Sequence, residues 1–512
     1  MPANFGIVDL FAGPGGLGEG FASFVEDGYA PFRIGISVEN EASAHRTLTL
    51  RAFLREYRAR HGGLPREYIN FHAGLVPEPD WSDIDRESWR LAQVEARALE
   101  LGTESAATAI DNASGELQAK CDDTILIGGP PCQAYSLVGR ARAKGKAGYI
   151  PEEDARHYLF REYIRVLDRL RPAAFVMENV KGMLSSTIES RLVFEMLMED
   201  LSSLGRGNGH QYELRAIRIQ NGKASLQEAM KPSDFIVRAD EFGVPQRRHR
   251  VIIVGIRSDI ARRTTDAEIA VSNKVRSVSD AISGMPTLRS GISRGGDYAS
   301  AWQQEVIEAA KRLAIIHKGE ESLQLTGAFL SISQKMKHEP PTLRKASYLP
   351  EGYGSSNDEL IRWLERPQLR AIAQHETRGH MASDLERYLF AAVFGAKCGY
   401  SPKAADFPLA ISPDHRNWHS GVFNDRFRVQ LADKASTTIT SHISKDGHYF
   451  IHPDPMQCRS LTVREAARLQ TFPDDYLFLG NRTQQYVQVG NAVPPYLARQ
   501  IADLVWKCLQ KQ

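Results

Sequence analysis

The stretch that decides the fold is Ile125–Arg140, which reads ILIGGPPCQAYSLVGR. Its first residues are apolar and β-branched, a composition that predicts a buried strand. Two glycines and two prolines then end the strand, and the prolines restrict the backbone directly before Cys132. A thiol held at the carboxyl end of a strand, where open α/β sheets bind ligands, is a candidate nucleophile. An isolated cysteine is otherwise a small buried apolar residue, so the other motifs decide between these interpretations.

A second loop with a ligand-binding pattern follows the strand predicted at residues 5–11. Its sequence, AGPGGLGEGF, contains Gly13, Gly15 and Gly18 in the spacing G-x-G-x-x-G. Between a strand and a helix, this spacing is typical of a cofactor loop, because glycines permit a tight turn and close approach of a ligand. NAD or FAD is the default ligand for such a loop, and a plain tight turn before a helix is the alternative.

Carboxylates near this loop favour a different cofactor. Asp9 and Glu19 flank the glycines, where negative charge disfavours a pyrophosphate and favours a molecule that carries an ammonium and a sulfonium. The next predicted strand, residues 33–38, ends at Glu39. A carboxylate at that position can accept hydrogen bonds from both hydroxyls of a ribose.

The composition limits the class of protein. The chain has 512 residues, 42% hydrophobic and 25% charged, with a formal charge of +2; two domains, or one domain with a large insertion, are expected. Near neutrality requires that the basic residues of any nucleic-acid interface lie on one surface. Five scattered cysteines without a Cys-x-x-Cys pair argue against a disulfide framework or zinc site and favour a reducing cytoplasm. The sequence predicts neither a signal peptide nor a membrane span.

Two further motifs place charged side chains at strand ends. The strand predicted at residues 173–177 runs into Glu178-Asn179-Val180, which brings a carboxylate to the edge where ligands bind. Residues 242–250, FGVPQRRHR, precede another predicted strand. Arg248 and Arg250 lie on the same side if this segment is extended, and a basic surface cluster is the alternative interpretation.

Periodicity weakens from about residue 258 to 455 and returns near the C-terminus. Thr462 and Glu465 form a capping box for a helix that Pro473 ends. The sequence QVGNAVPP, beginning at Gln488, then opens the last predicted helix. The interval between these regular parts is predicted to be a second domain.

Together these motifs resemble those of the cytosine-C5 methyltransferases, which act on DNA or, in one branch, on transfer RNA. The similar elements are DLFAGPGG, GGPPCQ, ENV, QRRHR, RLQTFP and QVGNAVPP, in that order, within residues 5–256 and 459–505. The resemblance implies an α/β fold: a Rossmann-like S-adenosylmethionine-dependent methyltransferase domain, a mostly parallel sheet with helices on both faces, plus a smaller mixed target-recognition lobe. The predicted division is a catalytic domain at 1–257, a target-recognition domain at 258–458, and C-terminal motifs at 459–512 that complete the catalytic domain.

The resemblance also implies roles for the residues at motif positions. The cofactor is S-adenosylmethionine, with no metal, and the thiolate adds to C6 of a flipped-out cytosine. Glu178 neutralises the base near N3, Arg250 holds its O2 oxygen, and Arg248 helps to position the loop. The implied set is catalytic Cys132, Glu178, Arg248 and Arg250; cofactor-binding Phe11, Gly13, Pro14, Gly15, Gly16, Glu39, Asn491 and Val493; and substrate-binding Gln133, Ser136 and Arg140.

Residues 70–120 depart from the family pattern. The segment 70–75, NFHAGL, lies where the family has an acidic residue near the adenine, but it contains no carboxylate. An amphipathic helix is predicted over residues 81–101, followed by a polar stretch at 103–120. We interpret residues of about 80–120 as an insertion.

The implied partner is double-stranded DNA, with a cognate restriction endonuclease or defence-system proteins as further partners and a monomeric, cytoplasmic enzyme as the expected form. One alternative is a transfer-RNA methyltransferase, whose Cys-Phe-Thr signature this sequence lacks. Another is a non-catalytic nucleic-acid-binding relative, which would have no use for a thiol after two prolines. An NAD-dependent oxidoreductase leaves every motif beyond Gly18 unexplained.

Overall fold

The strand predicted before Cys132 forms as Asp123–Gly128 and lies within one large mixed sheet. The computed structural model describes residues 3–130, 159–188, 191–204, 211–261, 267–272, 274–293, 297–318, 323–414, 418 and 424–510. The strands are β1 (Phe5–Leu10), β2 (Phe32–Val38), β3 (Ala96–Arg97), β4 (Asp123–Gly128), β5 (Ala174–Val180), β6 (Thr187–Ile188), β7 (Arg191–Leu192), β8 (Tyr212–Gln220), β9 (Lys223–Glu228), β10 (Ile236–Arg238), β11 (Gln246–Arg247), β12 (His249–Arg257), β13 (Glu268–Ala270), β14 (Gly291–Ile292), β15 (Gly379–His380) and β16 (Ser436–Thr437).

The helices cover both ends of the chain and much of its middle. They are α1 (Gly16–Ala22), α2 (Ala42–His61), α3 (Arg66–His72), α4 (Trp81–Ile84), α5 (Arg86–Glu95), α6 (Glu104–Lys120), α7 (Leu159–Leu170), α8 (Val193–Ser203), α9 (Ser258–Ala261), α10 (Val278–Ile282), α11 (Ala299–Ile316), α12 (Leu323–His338), α13 (Glu359–Leu364), α14 (Ala382–Cys398), α15 (Val463–Leu469), α16 (Arg482–Asn491) and α17 (Pro495–Leu509). No helix in these described segments combines the length and apolarity needed to cross a membrane.

The main sheet has a parallel half and an antiparallel half. Within the described residues it has ten strands in the order β13-β9-β8-β12-β5-β4-β1-β2-β3, and β10 pairs with β12. The strands β3, β2, β1, β4 and β5 are parallel, whereas β12 runs antiparallel to both β5 and β8. Leu10 pairs with Gly128, so β1 and β4 end side by side. The predicted α/β fold is confirmed, and the carboxyl ends of its parallel strands share one edge.

Helices bury both faces of this sheet. Alternate residues of each parallel strand point to opposite faces, so the sheet contributes to two separate cores. Helices α1 and α17 supply Leu17, Phe21, Leu497 and Ile501 to one core. Helices α6, α7 and α8 cover the other face. The last helix of the chain therefore packs in the same layer as the first.

The segment interpreted as an insertion is part of this packing. Residues predicted to be a polar stretch form α6, whose N-cap Thr103 accepts a hydrogen bond from the Ala106 N–H at 3.3 Å. Leu117 of α6 lies directly on the sheet: a Cβ placed on Gly35 would be 2.4 Å from its Cδ2. The apolar residues of α6 are too few to give a clear pattern in the sequence, yet they still bury one face of the helix.

The prediction of one continuous helix over residues 81–101 is wrong. Asp85 has an extended backbone, ends α4 and caps α5, accepting a hydrogen bond from the Ser88 N–H at 2.8 Å. The chain then leaves α5 at Glu95 and enters β3, which extends the parallel sheet beyond β2. Residues 80–120 thereby supply the edge strand and one crossover helix.

The segment 70–75 does not follow a strand. Its first residues belong to α3, and the buried His72 lies with its Nε2 2.8 Å from the carbonyl oxygen of Asp474. The strand beside β2 is β3, and the main chain after it runs through Leu99, which packs in the sheet core. Residues 70–75 therefore lie at the end of a helix and beyond it, and their position relative to the adenine stays a prediction.

Much of the interval between the catalytic motifs has its own apolar core. Helices α11, α12 and α14 pack together around Trp302, Leu313, Phe329 and Leu389. A further core joins residues of this interval, such as Leu364, to C-terminal residues, such as Phe472. The predicted capping box of Thr462 and Glu465 is confirmed at the start of α15. The division at residues 257 and 458 stays a prediction.

Buried histidines predict a loss of stability in mild acid. Burial lowers the pKa of His72 to about 4, whereas an exposed histidine in the unfolded chain titrates near 6.5. As the pH falls, the imidazole is therefore protonated in the unfolded state before it is protonated in the folded state. The contribution of the neutral His72 to the free energy of unfolding is complete above pH 6.5 and is lost as the pH falls towards 4. We expect His72→Gln to reduce the pH-dependent part of the unfolding free energy by on the order of 3 kcal/mol or less, measured by urea denaturation at pH 7.0 and 4.5. An identical loss in both proteins would contradict this assignment.

Candidate active site

The motif residues in the described part of the chain meet at the carboxyl edge of the parallel strands. The glycine loop follows β1, and Glu39 follows β2. Gly129 and Pro130 follow β4, and Glu178 lies two residues before the end of β5. The parallel order of these strands brings the four positions to one edge. These four positions span more than 160 residues of the sequence, and the pairing of the strands brings them together.

The glycine loop has an unusual backbone that its surroundings hold. Phe11, Gly13 and Gly15 have φ values of +56°, +58° and +95°, a region that is costly for phenylalanine but not for glycine. The Gly13 N–H donates a hydrogen bond to Glu39 Oε2 at 2.8 Å. Among the residues that the structure describes, no atom lies within 4 Å of the position that a Cβ of Gly13 would occupy. The loop is thus anchored on one side and leaves space beside Gly13.

Glu39 lies where the sequence predicted a ribose-binding carboxylate. Its Oε1 accepts the Glu41 N–H at 2.7 Å, and its Oε2 accepts that of Gly13. Burial raises the pKa of Glu39, and these backbone hydrogen bonds oppose the rise. Each carboxylate oxygen has a further lone pair, so two hydroxyls can still bind. The acceptor oxygens of Glu39 and the space beside Gly13 therefore fit a cofactor with a ribose.

The electrostatic interpretation of Asp9 and Glu19 needs correction. Arg51 donates two hydrogen bonds to Glu19, at 2.9 and 2.6 Å, so this carboxylate is already paired. Asp9 is buried beneath α1, with both carboxylate oxygens lacking a hydrogen-bond partner among the described residues. Burial raises its pKa well above the usual range. Glu19 is a structural charge, whereas Asp9 has no hydrogen-bond partner in the part of the chain that the structure describes.

The C-terminal motif closes the loop from the other side. A Cβ placed on Gly16 would lie 2.3 Å from the carbonyl oxygen of Val493, so only glycine permits this approach. The Tyr476 hydroxyl donates a hydrogen bond to the carbonyl of Pro14. Asn491 is exposed at the end of α16. Val493 lies against the predicted loop. The sequence analysis missed Tyr476, although it lies three residues after the end of the RLQTFP motif.

Glu178 lies between the end of β4 and an arginine of β12. Its Oε1 is 2.7 Å from Arg250 Nε, and a Cβ placed on Gly129 would be 3.0 Å from its Oε2. The neighbouring Asn179 donates a hydrogen bond to the Pro130 carbonyl at 3.1 Å. Asn179 was not among the predicted site residues, although its position in the ENV motif, next to Glu178, could have indicated it. The end of β5 thus holds the backbone two residues before Cys132.

Arg248 does not share the position of Arg250. The Arg248 N–H donates to the Gln246 carbonyl at 2.9 Å, so the segment turns there and is not extended. The buried guanidinium donates to the carbonyls of Ile439 and Gly490, at 2.8 and 3.1 Å. Burial lowers the pKa of Arg248 well below its usual value, and the charge of Arg250 adds to this effect. Arg248 therefore joins three chain segments, and the predicted extended geometry is wrong.

Four predicted residues, Cys132, Gln133, Ser136 and Arg140, lie outside the described residues. Their assigned roles stay predictions. The described chain ends on one side at Pro130, held by Asn179, and resumes at Leu159, the first residue of α7.

These features define an α/β protein with a cofactor-type glycine loop and a carboxylate–arginine pair on one edge of a Rossmann-like sheet. Comparison with known proteins identifies the family. The sequence model of the family described as C-5 cytosine-specific DNA methylase matches residues 104–507. The chain belongs to this family and is a DNA (cytosine-5-)-methyltransferase.

Two relatives found by sequence agree with this membership. The type II methyltransferase M.Bpa9945I of Bacillus paralicheniformis is 31% identical over 521 residues, which cover 98% of each chain. The DNA (cytosine-5-)-methyltransferase M.ApeKI of Aeropyrum pernix is 28% identical over 413 residues, which cover 76% of this chain and 82% of that protein. Among solved structures, a DNA modification methyltransferase encoded within an Escherichia coli prophage superposes with a TM-score of 0.49 and 16% identity, covering 99% of both chains.

Replacing each arginine by lysine separates the two roles. Arg248→Lys leaves one of two buried carbonyls without a donor, because an ammonium cannot span both positions; we expect a loss of about 1–3 kcal/mol in the free energy of unfolding. Arg250→Lys keeps a cation for Glu178 and serves as the matched control, with a smaller loss. Urea denaturation of both variants measures the difference, and a larger loss in Arg250→Lys would contradict the assignment.

Proposed function

We propose that this enzyme transfers the methyl group of S-adenosylmethionine to C5 of a flipped-out cytosine in a specific double-stranded DNA sequence, through a covalent bond between Cys132 and C6. The observation that carries the proposal is the arrangement at the end of β5. There, Glu178 lies against Gly129 while Asn179 holds Pro130, two residues before the thiol. A carboxyl group that can donate a proton and a thiol nucleophile are the two groups that this chemistry requires.

The residues of the first loop fit the cofactor. Glu39 would hold the ribose, and Phe11, Gly13, Pro14, Gly15 and Gly16 would line the site, with Asn491 and Val493 approaching from the C-terminal segment. When bound, S-adenosylmethionine supplies an electrophilic methyl group. The negative charge of Glu19 beside the loop is balanced by the positive charge of Arg51, because the two side chains form an ion pair. The shape of the loop and the hydrogen bonds of Glu39, rather than a net negative charge, support the proposal.

The chain's own groups make C5 nucleophilic. The Cys132 thiolate forms a bond to C6, and Glu178 gives a proton to N3, so the electron pair of the 5,6-double bond becomes available at C5. Arg250 fixes the orientation of Glu178 and, after the base enters, holds its O2 oxygen. After methylation the C5 proton passes to water or hydroxide, its electron pair restores the 5,6-double bond, and the bond between sulfur and C6 breaks to release the thiolate. The N3 proton then returns to Glu178.

The DNA duplex does not expose C5 to these groups, so the cytosine must leave the stack. We infer that Gln133, Ser136 and Arg140 occupy the vacated space, and that the region 258–458 reads base edges. The type II names of relatives such as M.Bpa9945I support a role in restriction–modification, with a cognate endonuclease as the partner. Bisulfite sequencing of DNA from cells that express the protein tests the DNA target and identifies the sequence methylated.

Cys132→Ala is expected to abolish methyl transfer while DNA binding persists, because only the nucleophile is lost. Methyl transfer from radiolabelled S-adenosylmethionine to duplex DNA and to transfer RNA measures the activity and separates the two substrates. A duplex that contains 5-fluorocytosine should leave the wild-type protein joined to the oligonucleotide, since the C5 fluorine cannot leave as a proton does. Turnover by Cys132→Ala, or no adduct with wild type, would refute the covalent route.

Glu178→Gln is expected to lower kcat by about 10²- to 10⁴-fold, because the amide cannot supply the proton. The affinity for S-adenosylmethionine should change little, since Glu178 lies beside Gly129 and not in the glycine loop. Steady-state kinetics and calorimetric titration of the cofactor give the two quantities. A loss confined to cofactor affinity would show that Glu178 is misassigned.

A further inference from the structure

A tyrosine outside the predicted site contacts the cofactor loop. The buried Tyr476 donates its hydroxyl hydrogen bond to the Pro14 carbonyl, and a Cβ placed on Gly15 would lie 2.9 Å from the same hydroxyl. Phe472, four residues earlier, approaches Gly16: a Cβ there would be 3.3 Å from its Cζ. One short C-terminal segment therefore contacts three consecutive loop residues.

Buried charges fix the position of Tyr476. The Arg51 guanidinium lies over the Tyr476 ring, with 4.8 Å between its Cζ and the ring centroid. Arg51 also pairs with Glu19 of α1, at 2.6 Å, and with Asp475, at 3.2 Å. Arg58 adds a second partner for Asp475, at 3.0 Å. The ring is thus held between the helix that follows the glycine loop and the helix that follows Glu39.

The loop needs such a support. Phe11 has a positive φ, and a non-glycine residue in that region is maintained only when its surroundings determine it. The Gly13 N–H points to Glu39, and the next residue, Pro14, cannot donate a backbone hydrogen bond. The hydroxyl of Tyr476 holds the Pro14 carbonyl, and the Gly15 N–H donates to the Ala12 carbonyl at 2.9 Å, so these two contacts together fix the plane of the peptide that joins Pro14 to Gly15. A rotation of that peptide would move the backbone on both sides of the open space beside Gly13.

We propose that Tyr476 is a positioning residue for the cofactor loop: its hydroxyl holds the Pro14 carbonyl and keeps the loop in the conformation that binds the methyl donor. This inference rests on the proposed use of S-adenosylmethionine. Tyr476 acts through the loop and not on the cytosine, so its removal affects donor binding and leaves the chemical step intact.

The test compares Tyr476→Phe with Tyr486→Phe in the full-length enzyme. Tyr486 is a matched control, because it is equally buried and its hydroxyl donates to the Leu461 carbonyl at 2.7 Å, away from the loop. Loss of the loop hydrogen bond should raise both the Kd and the KM for S-adenosylmethionine by about three- to tenfold, with kcat at saturating donor unchanged. Tyr486→Phe should leave Kd, KM and kcat unchanged. Calorimetric titration and steady-state kinetics measure these quantities.

Amide hydrogen exchange of the ligand-free proteins provides a readout that requires neither activity nor donor. Exchange at residues 13–19 should be faster in Tyr476→Phe than in wild type, and unchanged in Tyr486→Phe. The proposal is overturned if Tyr476→Phe has wild-type Kd and exchange, if both variants change equally, or if kcat falls while KM stays constant. A wild-type protein that does not bind S-adenosylmethionine would overturn the proposed function as well, whereas wild-type binding with no effect of Tyr476→Phe overturns this inference alone.

Discussion

The contact on which the rest of the structure depends is the close approach between α1 and the start of α17. A Cβ on Gly16 would lie 2.3 Å from the Val493 carbonyl oxygen, and a Cβ on Gly20 would lie 2.3 Å from the Cβ of Ala498. Two helices can pack at this separation only where one presents no side chain. The glycines of the loop thus serve the protein's own packing as well as the space for a cofactor. Residues near position 500 complete a core that begins at position 5.

This closure constrains everything between the two helices. The region from 258 to 458 must leave the sheet after β12 and return in time for α15, and buried ion pairs mark the return. Arg468 pairs with Asp474 at 2.5 Å, and Arg459 pairs with Glu465 at 2.6 Å, with all four side chains almost inaccessible. Buried pairs of this kind contribute less to net stability than well-packed apolar groups would, but breaking one is costly. They therefore favour one arrangement of the segments over others that would bury similar apolar area.

The same return segment links the middle region with the cofactor loop. Tyr353 donates a hydrogen bond to Asp474 at 2.8 Å, and the Trp363 indole donates to the Thr471 carbonyl at 2.7 Å. Thr471 has a φ of +60°, a strained value for a β-branched residue. The strained backbone precedes Phe472 and Tyr476, which contact the glycine loop. One segment thus contacts both the region predicted to read DNA and the loop predicted to bind the methyl donor.

The sequence by itself determined the family, the strands β1, β4, β5 and β12, the capping box at Thr462, and the positions of Glu39 and Glu178 at strand ends. These follow from local patterns, because a strand boundary and a motif lie within a few residues of one another. Only the tertiary structure decided that Arg51 pairs with Glu19, that Arg248 binds the Ile439 and Gly490 carbonyls, that α6 packs on Gly35, and that Tyr476 holds Pro14. Each of these contacts joins residues that are distant in the chain, and the partner of a charge or hydroxyl is chosen by which segments the fold brings within hydrogen-bond distance.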